Sequence, residues 1–374
     1  MVERPLDQGP VFSPAINYLG SKVRQLPLLD RLMRPHLPPG GTFGDLFAGT
    51  GSVAAHFRSA GGTVIANDAE PYSAVLCQAL LLCRYTPRLR AMIAELDSLS
   101  VSRATGLVAA NFSPAGPAGR MFFTPENAAR IDAVRARIET LTPSGSGDLS
   151  GKERAFLLAS LMRSCARVAN TSGSYTAYLK TFVPRAKRAF RMLPAHTSVD
   201  PVSKTNAVTC GDSLPLALSL ASRVKFDVVY LDPPFNGRSY GSYYGFYNYL
   251  LAYDPGVEVT GKTGIPADYY RSPWGFAKGA REALGALIGA LDARRIFFAY
   301  NNAGVLSKTE IAETLRTRGP TVLYVHKPPR AFRPHAGVLG SRDVEDWLFA
   351  VDCDREPGPP KGGRKASFRE VRSL

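Results

Sequence analysis

Apolar and polar positions along the chain follow two different periods, and the places where the period changes divide it into three stretches. From residue 42 to residue 85, short apolar and β-branched runs alternate with segments whose apolar residues recur three and four apart. Thr42 to Phe47 reads as a strand, 52 to 60 as a helix, Thr63 to Asn67 as a second strand and Pro71 to Tyr85 as a second helix. Ahead of them Ser21 to Leu37 has a helical pattern, with Ser21 placed to cap it and Pro38-Pro39-Gly40-Gly41 to end it. The Pro-rich start, Met1 to Ala15, reads as an extended lead-in. Between Tyr85 and Asn206 no strand–helix–strand unit is visible; helical patterns near 88 to 98, 125 to 140 and 151 to 168 are separated by Gly/Ser breaks. Strand patterns resume at Ala207 to Cys210, Asp227 to Leu231, Ile296 to Tyr300, Val322 to Val325 and Trp347 to Val351. The last two flank a loop and predict a closing antiparallel hairpin. The order predicts an α/β sheet domain in two parts, 1–85 and 206–353, interrupted by a mainly helical insertion at 86–205. Residues 354–374, rich in Pro, Gly, Lys and Arg, read as a flexible basic tail. There is no internal repeat.

The strand pattern ending at Leu231 runs straight into Asp232-Pro233-Pro234-Phe235. In an open α/β sheet ligands bind at the carboxyl ends of strands, so a carboxylate on a rigid turn there is placed for a site. The prolines fix φ and donate no backbone hydrogen bond, which leaves carbonyls free to accept one from a ligand. An acceptor-only Asp, a fixed carbonyl and an aromatic face suit a planar ring with an exocyclic amine, such as a nucleobase drawn out of the duplex stack. A Pro-rich turn after a core strand is the plainer reading of those four residues alone.

A second motif adds weight. Asp45-Leu46-Phe47-Ala48-Gly49-Thr50-Gly51-Ser52 follows the first strand and turns into the helical pattern Val53 to Phe57. Its glycines let backbone pass close to a ligand, and the helix offers unpaired amides at its positive end. It lacks the full G-x-G-x-x-G spacing and the Lys of a P-loop, so it suits a nucleoside better than a pyrophosphate. Roughly twenty residues on, Asn67-Asp68 closes the second strand, where an acidic residue can hold ribose hydroxyls. Asp68 can also cap a helix ahead of Glu70.

Taken in order, Asn17-Tyr18-Leu19-Gly20-Ser21-Lys22, the Asp45 to Ser52 loop, Asn67-Asp68, Gly211-Asp212-Ser213 and Asp232 to Phe235 resemble the Dam-like DNA adenine methyltransferases, and within them the FokI-type branch. Asn170 to Lys180 and Tyr300-Asn301-Asn302 resemble that branch too, and the likeness runs from Ile16 to Val351. One departure is Phe235, where Tyr is commoner; a stacking ring is kept and a phenolic hydrogen bond is lost.

The resemblance implies a Rossmann-like S-adenosylmethionine-dependent methyltransferase sheet carrying an inserted helical recognition domain. It implies site-specific transfer of a methyl group to the N6 amine of a flipped adenine in double-stranded DNA, in a restriction-modification or orphan setting. Asp232, Pro233, Pro234 and Phe235 would form the catalytic turn, with Phe235 stacked on the base. The cofactor would lie against Tyr18, Lys22, Asp45 and the Phe47-Ala48-Gly49-Thr50-Gly51 backbone. Asn67, Asp68, Asp212 and Ser213 would complete its site. Lys22 would reach between cofactor and target base, and Asp212 would meet the cofactor adenine unless it serves as the N-cap of a helix starting near Leu214.

Charge fits such an enzyme without requiring it. The 374 residues hold 46 Lys+Arg against 31 Asp+Glu, a net charge of +15 and a pI near 9.7, which implies a surface attractive to polyanions. The Arg excess suits phosphate forks and guanine edges, or records a GC-rich genome. Arg238 and Tyr240, nearest the catalytic turn, are expected beside DNA, with Lys262 and Arg271 as backbone contacts. Within the insertion Arg163, Arg167, Lys180, Arg185, Lys187 and Arg188 form the densest basic group. A solvated surface is the alternative for the residues after the catalytic turn, and a structural helical cap is the alternative for the insertion. The five cysteines show no metal-ligand spacing, so no metal is expected. No apolar run reaches the roughly 18 residues of a membrane span, and a cytoplasmic protein acting on DNA, with a separately encoded endonuclease, is expected. An RNA adenine or DNA cytosine amino-methyltransferase shares the amine chemistry, and a silent DNA-binding regulator is the rival of another class.

Overall fold

The computed structural model describes residues 16–58, 62–101, 106–141, 149–200, 202–237, 239–326, 344–356 and 369–372. The expected lead-in and Arg238 lie outside the described residues. The strands are β1 (Thr42–Asp45), β2 (Thr63–Asp68), β3 (Ala207–Cys210), β4 (Phe226–Leu231), β5 (Val259–Thr260), β6 (Ile265–Pro266), β7 (Ala293–Asn301), β8 (Thr321–His326), β9 (Asp346–Asp352) and β10 (Arg369–Arg372). Eight of them form one sheet in the order β10-β8-β9-β7-β4-β1-β2-β3, and β5 pairs with β6 in a separate hairpin. All pairings in the large sheet are parallel except those of β9, which runs antiparallel to β7 on one side and β8 on the other. Direction along the sheet reverses between β1 and β4, the place where a doubly wound sheet opens a crevice.

The expected antiparallel hairpin of β8 and β9 is present, with β9 also paired to β7 through seven register pairs from Arg295↔Asp352 to Asn301↔Asp346. One expectation at the carboxyl-terminal side needs correction. Part of the expected flexible tail, Arg369–Arg372, is a strand lying parallel on β8. It covers an edge whose amides and carbonyls would otherwise stand unpaired.

Helices sheath both faces. α1 (Leu26–Met33), α2 (Ser52–Arg58) and α3 (Pro71–Leu82) cover one face, over Phe43, Val64, Ala66, Val228 and Tyr230. The helix expected at 21–37 is broken: Val23–Gln25 and Arg34–His36 are 3-10 turns either side of α1, and Lys22, not Ser21, precedes the first. Pro27 suits the first turn of α1, while Pro35 lacks the amide that would carry the helix on. α3 is apolar around its circumference because it is covered twice. Cys77 and Leu81 face the sheet, and Tyr72, Leu76 and Ala79 face the insertion.

The insertion consists of α4 (Pro87–Ser98), α5 (Leu107–Phe112), α6 (Pro125–Thr140) and α7 (Gly151–Val168), with no strand among the described residues. Three starts are written in the sequence, the first being Thr86, which caps α4 by accepting from the Leu89 amide. Thr124 caps α6 by accepting from the Asn127 amide, and Ser150 with Glu153 forms a capping box on α7. α5 was not foreseen; its six residues are too few to show a period. Beyond β3, α8 (Ser213–Leu220) lies on the second sheet face. The aromatic run after the catalytic turn forms α9 (Tyr240–Tyr243) and α10 (Gly245–Ala252). Tyr244, Phe246, Tyr247 and Tyr249 are core, packed into the insertion with Phe112, Phe123 and Tyr175. α11 (Ala277–Ala290) and α12 (Lys308–Arg316) join α8 over Val229, Leu231, Ile296 and Phe298.

Candidate active site

The loops leaving β1 and β4 meet in one cavity at the crevice. Asp45 and Tyr230 are register partners on the two strands, and both line it. Lys22, from the Tyr18–Lys22 segment, closes one side: its Nζ lies 2.8 Å from Asp232 Oδ2 and 3.4 Å from the Gly20 carbonyl. Burial pushes the Asp232 carboxyl above the usual carboxylate range, and the Lys22 ammonium opposes that rise. The site thus holds an acceptor of raised basicity against a fixed cation.

On the β1 side the Gly turn is held from three directions. The Gly49 amide donates to Asp68 Oδ2 at 2.7 Å, the Gly49 carbonyl accepts from the Ser73 hydroxyl, and Tyr18 lies where a Gly49 side chain would stand. Asp68 also accepts from the Glu70 amide at 2.9 Å, and Glu70, not Asp68, is the N-cap residue of α3. Asn67 links three strand ends by donating to the Leu46 and Gly211 carbonyls and accepting from the Thr209 hydroxyl. Burial raises the Asp45 carboxyl to about 8, with the neighbouring Asp232 charge adding to it. Its Oδ2 accepts from the Ala54 amide, and Oδ1 has no partner.

Asp45 is not alone in this. Among the described residues only Ser21 Oγ, Asp45 Oδ1, Tyr175 Oη and Tyr230 Oη are buried without a hydrogen-bond partner, and three of these four residues line the cavity. Buried polar atoms are normally satisfied, so a wall that gathers the exceptions is built for a polar ligand. Acidic groups without matching cations on the Asp45–Asp68 side favour one carrying positive charge.

Residues 269–276 form a strap along the cavity wall, all but Pro273 lining it. Tyr270 donates to Asp212 Oδ1, and Trp274 meets Phe47 edge to face at 5.4 Å between centroids. Asp212 does precede α8 at its N-cap position, yet its side chain makes no capping bond and turns to Tyr270 instead.

The expected cofactor residues Tyr18, Lys22, Asp45, Phe47, Ala48 and Gly49 line this cavity, as do Thr50, Asn67, Asp68, Asp212 and Ser213. Gly51 does not. It lies behind the loop against Cys77, where a side chain would meet the Sγ at 3.1 Å. Of the catalytic turn, Asp232 and Pro234 are on the wall; Pro233 is buried beneath it. Phe235, expected against the base, is half-buried with its ring edge-on to Tyr300 at 6.0 Å. Tyr240 is the aromatic on the wall there, stacked on Tyr18 at 5.1 Å.

The basic residues divide. Lys180, Lys187, Arg188 and Lys262 are exposed, and Arg271 is on the strap. Arg163 and Arg185 turn inward: Arg163 donates to the Pro194 and Ala195 carbonyls and Arg185 to that of Thr171. The exposed ones sit on pinned backbone. Buried Asn170 ties Met121, Leu179 and Val183 together, and buried Asn127 ties Ala186, Arg188 and Phe190. Arg120 holds the carbonyls of Gly261 and Lys262 at the hairpin tip.

Sequence reasoning missed Ser21, Glu70, Tyr230, Tyr270, Trp274 and Asp346. A tyrosine in an otherwise apolar strand was the available signal for Tyr230. Burial pushes Glu70 up to about 7 while Asn248 donates to it. Asp346 accepts from Gln25 at 3.0 Å, and its charge adds to the raised state of Asp232. No group of three metal-ligating side chains exists among the described residues, and no described helix is long and apolar enough to cross a membrane.

A family model described as D12 class N6 adenine-specific DNA methyltransferase matches residues 18–267. The chain is 32% identical over 339 residues to the type II methyltransferase M.CviAII of Paramecium bursaria Chlorella virus 1, spanning 90% of this chain and 98% of that protein. It is 32% identical over 314 residues to the type II methyltransferase M.NlaIII of Neisseria lactamica, spanning 81% and 89%. With M.FokI of Planomicrobium okeanokoites it shares 30% identity over 353 residues, which span 91% of this chain but 53% of that protein.

Proposed function

The chain belongs to the D12 class N6 adenine-specific DNA methyltransferase family, and we propose that it methylates one adenine within a specific sequence of double-stranded DNA. The observation that carries the site assignment is Asp232 at the crevice, its carboxylate on Lys22, facing a Gly turn and a wall of unpartnered polar atoms. S-adenosylmethionine supplies an electrophilic methyl group when bound, and the residues present fit it. Unpartnered Asp45 Oδ1 and the carboxylates of the β1 and β2 ends suit a cationic nucleoside, and Asp212 with Tyr270 suits its base.

Asp232 accepts a hydrogen bond from the adenine amine and so turns its nitrogen lone pair toward the methyl donor; the Pro233 carbonyl, buried beneath the wall, joins only by a shift of the turn. The nitrogen gains a methyl group and gives up one proton; Asp232, more basic than an ordinary carboxylate, takes it and passes it to solvent. Lys22 holds the Asp232 carboxylate in place from one side. The strap excludes water around the reacting atoms, so the rate gain is mostly orientation and electrostatics. Tyr240 flanks the base, and Phe235 joins only by turning from Tyr300.

The pinned loop carrying Lys180, Lys187 and Arg188 and the hairpin tip with Lys262 form the duplex-facing surface, and 86–205 acts as the recognition domain. The relatives' type II designation supports a restriction-modification role beside a separately encoded endonuclease, on DNA in a bacterial or phage-infected cytoplasm. Asp232→Ala should lower single-turnover methylation by about 100-fold or more while cofactor affinity stays nearly unchanged. Both are measured on one preparation, and substantial residual turnover would refute the assignment.

A further inference from the structure

Four large apolar side chains are exposed among the described residues: Leu19, Val199, Leu218 and Phe276. Phe276 belongs to the cavity wall, and neither Val199 nor Leu218 has an immediate chain neighbour that lines it. Leu19 is different. Its neighbours Tyr18, Gly20, Ser21 and Lys22 all line the cavity, yet Leu19 does not and is 44% exposed. It therefore stands on the rim, on the side where Lys22 meets Asp232.

The backbone there is rigid. The Ser21 amide donates to the Tyr18 carbonyl at 3.3 Å, closing a tight turn with Leu19 at the outer corner and Gly20 at φ +79, a conformation that favours glycine. Leu19 is itself fixed at both polar groups. Its amide donates to Tyr244 Oη at 2.7 Å and its carbonyl accepts from Tyr240 Oη at 3.2 Å. A Cβ on Gly20 would meet that same Tyr240 hydroxyl at 3.1 Å, so the turn seats closely on the tyrosines. Tyr18 stacks on both Tyr240 and Tyr244 and completes the footing.

An isolated leucine on a mobile loop would need no explanation. One held on a braced turn, beside the acceptor for a base that must leave its stack, has a task that fits. We propose that Leu19 is a wedge that enters the duplex at the target position and fills the space vacated by the flipped adenine. This rests on the methyltransferase reading above. Apolar wedges of this kind offset part of the unstacking cost, and that cost is smaller where the target is poorly paired.

The test uses the full-length protein and a duplex containing the sequence it methylates, mapped by sequencing DNA from cells that express it. Leu19→Ala should slow single-turnover methylation of the paired duplex about tenfold, equivalent to roughly 1.4 kcal/mol. The loss should largely vanish when the target adenine faces a mismatched base, and Leu19→Met should retain most of the rate. With 2-aminopurine at the target position, fluorescence should rise with the parent protein and much less with Leu19→Ala. Thermal melting and cofactor affinity of the variant should match the parent. A rate loss equal on paired and mismatched duplexes, or no loss at all, would overturn the wedge and leave the enzyme assignment standing. Absence of any methylated adenine in the mapping step would overturn both.

Discussion

At Asp232 two influences of opposite sign meet, and their balance is measurable. Burial raises its carboxyl above the ordinary range, and the Lys22 ammonium at 2.8 Å pulls it down. Asp232 must be ionised to accept from the amine, so the rate falls as pH drops through this raised pKa. Lys22→Met removes the opposing charge, the pKa climbs further, and the acid limb of the single-turnover rate should move to higher pH by on the order of one unit. An acid limb unmoved, or moved downward, would show that Lys22 does not act through Asp232. At this scale residue identity was legible and side-chain direction was not. Asp232 and Gly49 announced themselves by type and place. Whether Phe235 faced the cavity or Tyr300, and whether Arg163 faced solvent or the Pro194 carbonyl, depends on packing among elements far apart in sequence.

The β1 turn makes a comparable test of an element. Gly49 has φ +53 and faces the Tyr18 ring, which a Cβ would meet at 3.0 Å. Gly49→Val should disturb the loop, at a backbone cost of about 1–2 kcal/mol, and weaken S-adenosylmethionine binding roughly tenfold or more by calorimetry. Unchanged affinity in a folded variant would make the turn a structural feature only. Elements whose starts are written locally were readable: Thr124 and Ser150 with Glu153 mark α6 and α7 in the sequence itself. The seat of β9 between β7 and β8, and the addition of β10, were not readable. Strand order is set by which edges meet in space, and the four residues Arg369–Arg372 carry no alternation that separates a strand from a tail.

Over the whole molecule the charge of +15 is distributed unevenly in what it can do. Arg120, Arg135 and Arg163 are spent on backbone carbonyls inside the fold, so affinity for the polyanion falls to exposed groups such as Lys180, Lys187, Arg188 and Lys262. Replacing Lys187 and Arg188 with Gln should weaken binding to matched and unmatched duplexes alike. It should also reduce the slope of log affinity against log salt by about one for each phosphate no longer neutralised. A change confined to one base position would instead identify a reader of sequence. The long reach between Gln25 and Asp346 has a consequence for how the protein is made. That hydrogen bond joins residues 321 positions apart, and Asp346 flanks Asp232 from β9. At about 5–20 residues per second, a ribosome adds this neighbour of Asp232 roughly 15–60 s after Gln25. A nascent chain can thus bury the Gly turn and the helical insertion well before it can modify DNA, and activity arrives as one late event in translation.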